Sequence, residues 1–154
     1  MYFEEFEVGK VFRCEPFLVT AEEIHTFANQ YDPHPIHVDP QYAKEHSIFN
    51  GIISSGFLTV SAVWGQWIRS GVFGNEFIVG KNFDYIKFTN PVRANDVLTA
   101  EIEVVALRQT SNQFRGEVTI KFTVTNQKEE VVMLSQMSAL LKTKATISET
   151  SPSY

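Results

Sequence analysis

An α+β domain, with an antiparallel β-sheet wrapped around a central α-helix, is the fold class this 154-residue sequence predicts, on three observations. The segment FLTVSAVWGQWI, Phe57 to Ile68, sets Phe57, Leu58, Val60, Val63, Trp64, Trp67 and Ile68 around most of a helical wheel, and such a helix must be enclosed. In QFRGEVTIKFTVT, Gln113 to Thr125, Phe114, Gly116, Val118, Ile120, Phe122 and Val124 alternate with polar residues, the period of a strand with one dry face. Looser alternation runs from Val97 to Leu107 and from Val131 to Leu141, joined to that strand by the turn-like QTSN and NQKEE. Half-buried strands and an all-round apolar helix cover each other when the sheet curls around the helix.

The remaining elements follow in chain order. Thr20 caps a helix that runs to Tyr31, with Glu22 and Glu23 at its positive end and Ile24, Phe27 and Ala28 at helical spacing. Pro33 and Pro35 forbid its continuation. Asp39 then caps a short helix, Pro40 to Glu45, and FNGIISSG connects it to the central helix. Asp84 to Phe88 offers one more strand. No repeat, linker or low-complexity block divides the chain, so residues 1–143 are expected to form one domain and 144–154 a polar, flexible tail. The sheet edges of such a domain invite pairing with a second copy, which predicts a homodimer or higher homo-oligomer.

Composition excludes some functions. A net charge of -5 without a basic run gives no footprint for nucleic acid or an anionic membrane surface. No apolar run approaches a bilayer span, the N-terminal MYFEEFEVGK lacks the regions of a signal peptide, and Cys14 has no partner for an intrachain disulfide. The expectation is a cytoplasmic protein without nucleic-acid or membrane partners.

Chemistry concentrates in YDPHPIHVD, Tyr31 to Asp39. Two prolines between Asp32 and His37 are expected to hold the backbone extended, so that both side chains enter one cleft and share a water. A carboxylate accepts a proton from water, and an imidazole exchanges one near neutral pH. Each residue alone has a plainer use, Asp32 as a turn former and His37 as a bonded or solvated loop group, and on spacing alone the plainer use prevails. A metal site built on His34, His37 and Asp39 is weighed against this; an extended chain turns His34 and His37 to opposite sides, and no further cluster supplies ligands, so no metal is expected. A second motif, SSGFL, opens the central helix. There the Gly56 N–H is available to a developing oxyanion, although in isolation capping by Ser54 or Ser55 is the simpler reading.

Together these pieces resemble the MaoC-like acyl dehydratases, which include the (R)-specific enoyl-CoA hydratases and share the hot-dog fold. The family pattern of a helix ending in FA, a D-x-N-P-x-H loop and a glycine at the head of the central helix is matched by FANQYDPHPIHVDPQYA and by GIISSGFL. Asp32, Pro35, His37 and Gly56 fall on the signature positions, and Pro91, Val92, Asp96 and Leu98 on the family's P-V-x-x-G-D-x-L segment. The chain departs from the pattern at Tyr31 for glycine, His34 for asparagine, Ser55 for histidine and Asn95 for glycine. The resemblance extends from about Phe3 to Leu141.

The resemblance implies reversible hydration of a trans-2-enoyl thioester to a 3-hydroxyacyl thioester, as in fatty acid metabolism. Asp32 and His37 would be the catalytic pair on one water. Gly56 would bind the oxyanion, and Ser55, Tyr31 and His34 would shape the substrate pocket. No cofactor is implied: coenzyme A is part of an acyl-CoA substrate, with acyl carrier protein as the other carrier. The alternatives are a hot-dog thioesterase and a non-catalytic acyl-CoA or acyl-carrier binding protein. Lys81, Lys87, Arg93, Arg108 and Arg115 are expected to be solvated surface charges rather than assigned carrier contacts.

Overall fold

The structure is a computed structural model and describes residues 1–148; Lys144–Ser148 form a short 3-10 turn, and 149–154 of the expected tail lie outside the described residues. In chain order the elements are β1 (Val11–Arg13), β2 (Phe17–Leu18), α1 (Ala21–Tyr31), α2 (Pro35–Val38), α3 (Pro40–His46), α4 (Gly56–Arg69), β3 (Phe77–Phe88), β4 (Val97–Gln109), β5 (Arg115–Thr125) and β6 (Val131–Lys142).

Alternation organises the sheet. In β5, Gly116, Val118, Ile120, Phe122 and Val124 are buried while the residues between them stay partly exposed. In β4, Leu98, Ala100, Ile102 and Val104 are buried, and the period breaks at a bulge between Val104 and Ala106. The strands pair antiparallel in the order β1-β4-β5-β6-β3, with β2 joined to the start of β4. The sequence predicts a strand at β3 only from Asp84, yet the strand begins at Phe77. Register shifts between Phe77 and Val79, Gly80 and Asn82, and Phe83 and Tyr85 explain the difference, because each bulge resets the two-residue period.

Against the dry face lies α4, and the arrangement is the hot-dog fold. Trp67 is fully buried, with its ring edge-on to Phe12 on β1 at 5.5 Å, Phe73 at 5.0 Å and Phe122 on β5 at 6.5 Å. Among the described residues its Nε1 has no hydrogen-bond partner, a cost of about 1–3 kcal/mol that burial of the large ring offsets. The enclosure expected of this helix is only partial within one chain. Thr59, Val63 and Trp67 are buried, but Leu58, Val60 and Trp64 are half-buried and Phe57 is 62% exposed.

Local chemistry sets the helices that precede α4. Thr20 and Glu23 form a reciprocal capping box at α1: the Thr20 hydroxyl accepts the Glu23 N–H at 3.1 Å, and the Glu23 carboxylate accepts the Thr20 N–H at 3.4 Å. The loop after Asp32 is not extended throughout. Pro35 stands first in α2, where proline's missing N–H has no helical acceptor to lose and its fixed φ suits the turn. Pro40 repeats the arrangement in α3, under an Asp39 cap that accepts the Tyr42 N–H at 3.0 Å. Asn95, with φ 72°, occupies a left-handed turn and donates its N–H to Val19 O at 2.7 Å; its short polar side chain tolerates that backbone.

The outer face of the sheet carries a charged cluster around Glu117. Lys81 on β3 and Arg108 on β4 each donate to Glu117 Oε2 at 2.6 Å, and the bonds from Lys81 and then Arg108 hold the Glu117 carboxyl below its ordinary value. A carboxyl depressed in the folded state stabilises above the unfolded value of about 4.3 and loses that contribution as pH falls through the lower folded value. Glu117→Gln is therefore expected to lower the melting temperature at neutral pH, with the deficit shrinking on acidification below the carboxylate range. Calorimetry at both ends of that range checks it, and a deficit independent of pH contradicts it.

Candidate active site

Three chain segments converge at the start of α4. Asp32 ends α1, His37 sits in α2, and Ser55 is the N-cap of α4. The Ser55 hydroxyl, on a residue only 1% exposed, donates to Asp32 Oδ2 at 2.7 Å and accepts the Phe57 N–H at 3.2 Å. His37 Nε2 lies 3.3 Å from the same Asp32 oxygen. Oδ1 of Asp32 is therefore the carboxylate oxygen left for a further donor.

The backbone fixes the polarity of His37. Its Nδ1 is 2.7 Å from Ile53 O. A carbonyl only accepts, so Nδ1 carries the hydrogen and Nε2 is the nitrogen that faces Asp32. Ile53 is held in turn by its N–H on Ile36 O at 3.4 Å, and the neighbouring Ser54 N–H reaches Val92 O at 2.7 Å. The imidazole is thus seated on a framework that joins α2 to the segment before β4.

A cavity of about 380 Å³ opens beside this cluster, with His37, Phe49, Ile53, Gly56, Thr59 and Phe88 on its wall. Gly56 is the first residue of α4, so its N–H has no acceptor within the helix. A Cβ at Gly56 would lie 2.4 Å from Cζ of Phe88, so glycine is the residue that lets this ring rest against the helix start. Tyr31 and His34 stand apart from the cavity wall. Tyr31 is 66% exposed and packs on Phe27, while His34 is exposed and its Nδ1 accepts the Ile36 N–H at 3.2 Å.

Some contributors escape a reading of the sequence. Arg93, expected among solvated charges, is half-buried and donates from Nη2 to Phe49 O at 2.7 Å, pinning the connection that forms one wall of the cavity. Phe49, Thr59 and Phe88 come from three distant segments, and no local motif marks them. Cys14 is buried, and burial pushes its thiol above the ordinary value, away from the thiolate a nucleophile needs. Among the described residues, no group of three or more His, Cys, Asp or Glu side chains is placed to hold a metal ion.

Residues 5–126 match the family model described as MaoC like domain. This chain belongs to the MaoC-like dehydratase family. Among curated proteins it is 34% identical to the uncharacterised protein YdeM of Bacillus subtilis, over 92% of this chain and 99% of that one. It is 33% identical to the (R)-specific enoyl-CoA hydratase of Aeromonas caviae, over 69% of this chain and 76% of that one. Among solved structures, the MaoC-like dehydratase from Rhodospirillum rubrum superposes with a TM-score of 0.87 at 30% identity, covering 94% of this chain and 98% of that one.

In this MaoC-like chain Ser55 serves two partners at once, and truncating it exposes both roles. Ser55→Ala is expected to lower the unfolding free energy by about 0.5–2 kcal/mol through loss of the cap alone. Urea denaturation measures it, and an unchanged midpoint contradicts the capping role.

Proposed function

We propose that this MaoC-like protein catalyses the reversible hydration of a trans-2-enoyl thioester to a 3-hydroxyacyl thioester, with coenzyme A or acyl carrier protein as the acyl carrier. The observation that carries the proposal is the 3.3 Å approach of His37 Nε2 to Asp32 Oδ2, beside the first amide of α4, which has no acceptor within the helix, and a cavity that both His37 and Gly56 line. The membership of the chain in a dehydratase family supports the same reaction class.

In the proposed cycle the imidazolium of His37 faces the carboxylate of Asp32. Ser55 and His37 engage Oδ2, which leaves Oδ1 to take a water. That water gives a proton to Asp32 as its oxygen adds to C3. His37 Nε2 delivers its proton to C2, and the proton on Asp32 then crosses to His37, so the pair ends as it began. The elements of one water are added and the proton inventory closes without a metal or redox group. Gly56 N–H would stabilise the enolate oxygen that forms between the two additions, a contribution of roughly 3 kcal/mol for one such donor.

The proposal includes a homodimer. Phe83 on β3 is 43% exposed, Phe57 on α4 is 62% exposed, and a groove of about 500 Å³ separates the edge strand from the helix. A second copy laid along β3 would cover both and complete the enclosure that the composition of α4 demands. Sedimentation equilibrium is expected to return a dimer for the wild type and a monomer for Phe83→Glu; a wild-type monomer refutes this part.

Hydration of crotonyl-CoA and longer enoyl-CoAs, followed by loss of the conjugated enoyl absorbance, tests the chemistry. Asp32→Asn and His37→Asn are each expected to lower kcat by about 10²- to 10⁴-fold. Full rates in both variants would overturn the assignment of the pair. Release of free thiol without hydration would point to a thioesterase, and tight binding without turnover to a carrier of acyl groups.

A further inference from the structure

The four-residue helix α2 carries His37, and its N-terminal end has a single side-chain support. Pro35 brings no N–H. The His37 N–H is held by His34 O at 2.9 Å. The Ile36 N–H is accepted by His34 Nδ1 at 3.2 Å. Ile36 and His37 both interlock with Ile53, through Ile53 N–H to Ile36 O and through His37 Nδ1–H to Ile53 O. Movement of Ile36 therefore moves the imidazole that faces Asp32.

An imidazole can fill this role in one charge state only. To accept the Ile36 N–H, Nδ1 must keep its lone pair, so the ring is neutral with its hydrogen on Nε2. A proton added at Nδ1 turns the acceptor into a donor aimed at another donor. His34 is exposed, so protons reach it from solvent. The titratable or charged groups around it are His37 on α2, whose ring centroid is 6.5 Å away, and Tyr42 on α3 at 6.2 Å. Beyond Tyr42 is His46, and Asp32 and Asp39 bound the same loop. Asp32 is engaged by Ser55 and His37, and Asp39 by the Tyr42 N–H.

We infer that His34 is a positioning residue: its neutral imidazole caps the helical turn that holds His37, and protonation of His34 releases that cap and disassembles the Asp32–His37 pair. The inference rests on the proposed role of His37 as proton carrier and extends it to a residue outside the cavity. Asparagine supplies a capping oxygen whatever the pH, and alanine supplies none.

The test compares wild type, His34→Asn and His34→Ala in enoyl-CoA hydration from about pH 5.5 to about pH 8.5, the range in which imidazoles change charge. At the alkaline end His34→Asn is expected to match wild type within about 2-fold, whereas His34→Ala loses about 2- to 30-fold in kcat, the free energy of one helix cap written as a ratio. The wild-type rate divided by the His34→Asn rate is expected to fall by a similar factor on acidification, as a one-proton step. Dividing by the His34→Asn rate removes the pH dependence that does not pass through His34. A ratio that stays flat, or a His34→Ala protein as active as wild type, overturns the inference.

A second readout separates this from the assignment of the reaction. In ring-labelled protein the His37 signal, identified by its loss in His37→Asn, is expected to show an inflection from His34 in wild type that is missing in His34→Asn. If no enoyl thioester is hydrated but the inflection is present, the reaction is wrong and the cap stands. If hydration occurs and wild type and His34→Asn titrate alike at His37, the cap is wrong and the reaction stands.

Discussion

The hydroxyl of Ser55 is the interaction on which the site depends. One oxygen receives the Phe57 N–H at the start of α4 and donates to Asp32 Oδ2 at the end of α1, so a single side chain joins the central helix to the acidic loop. Almost no solvent reaches it. A buried hydroxyl that donates one bond and accepts another is held in orientation, and that orientation selects which carboxylate oxygen remains free. Serine at the head of α4 keeps the helix capped while gripping the aspartate.

Around that bond the backbone does much of the chemical positioning. Ile53 O sets the tautomer of His37, the amide of Gly56 lies at the head of the longest helix among the described residues, and Val92 O holds the Ser54 N–H beside them. Carbonyl and amide groups of this kind are fixed by the fold rather than by rotamers, so they keep their direction as substrate or protons come and go. Arg93 contributes to the same framework from a half-buried position, where its guanidinium holds Phe49 O instead of facing solvent.

Sheet and helix remain unequally matched within one chain. The dry faces of β4 and β5 cover Val63 and Trp67, but α4 is apolar over a wider arc than the sheet of one copy encloses. The uncovered arc lies along β3, the strand with three register shifts and several exposed apolar side chains. Bulges and apolar exposure on one edge are what the proposed pairing of two copies would account for. They are also why only the end of β3, from Asp84, is visible in sequence, since a period of two cannot be read through repeated insertions.

By itself the sequence determined the central helix, the alternating strands β4 to β6 and the capped helix α1. Each of these is written in a local period, a capping pattern or a motif of short range, and short-range signals survive without knowledge of the fold. Tertiary structure alone decided the helical turn at Pro35, the approach of Ser55 to Asp32, the outward placement of Tyr31 and His34, the partial burial of Arg93 and the meeting of Phe49, Thr59 and Phe88 at one cavity. Those features depend on which surfaces meet across the sheet, and contacts between distant segments leave no period in the chain. The nitrogen of His37 that faces Asp32 belongs with them, because it is set by a carbonyl sixteen residues away.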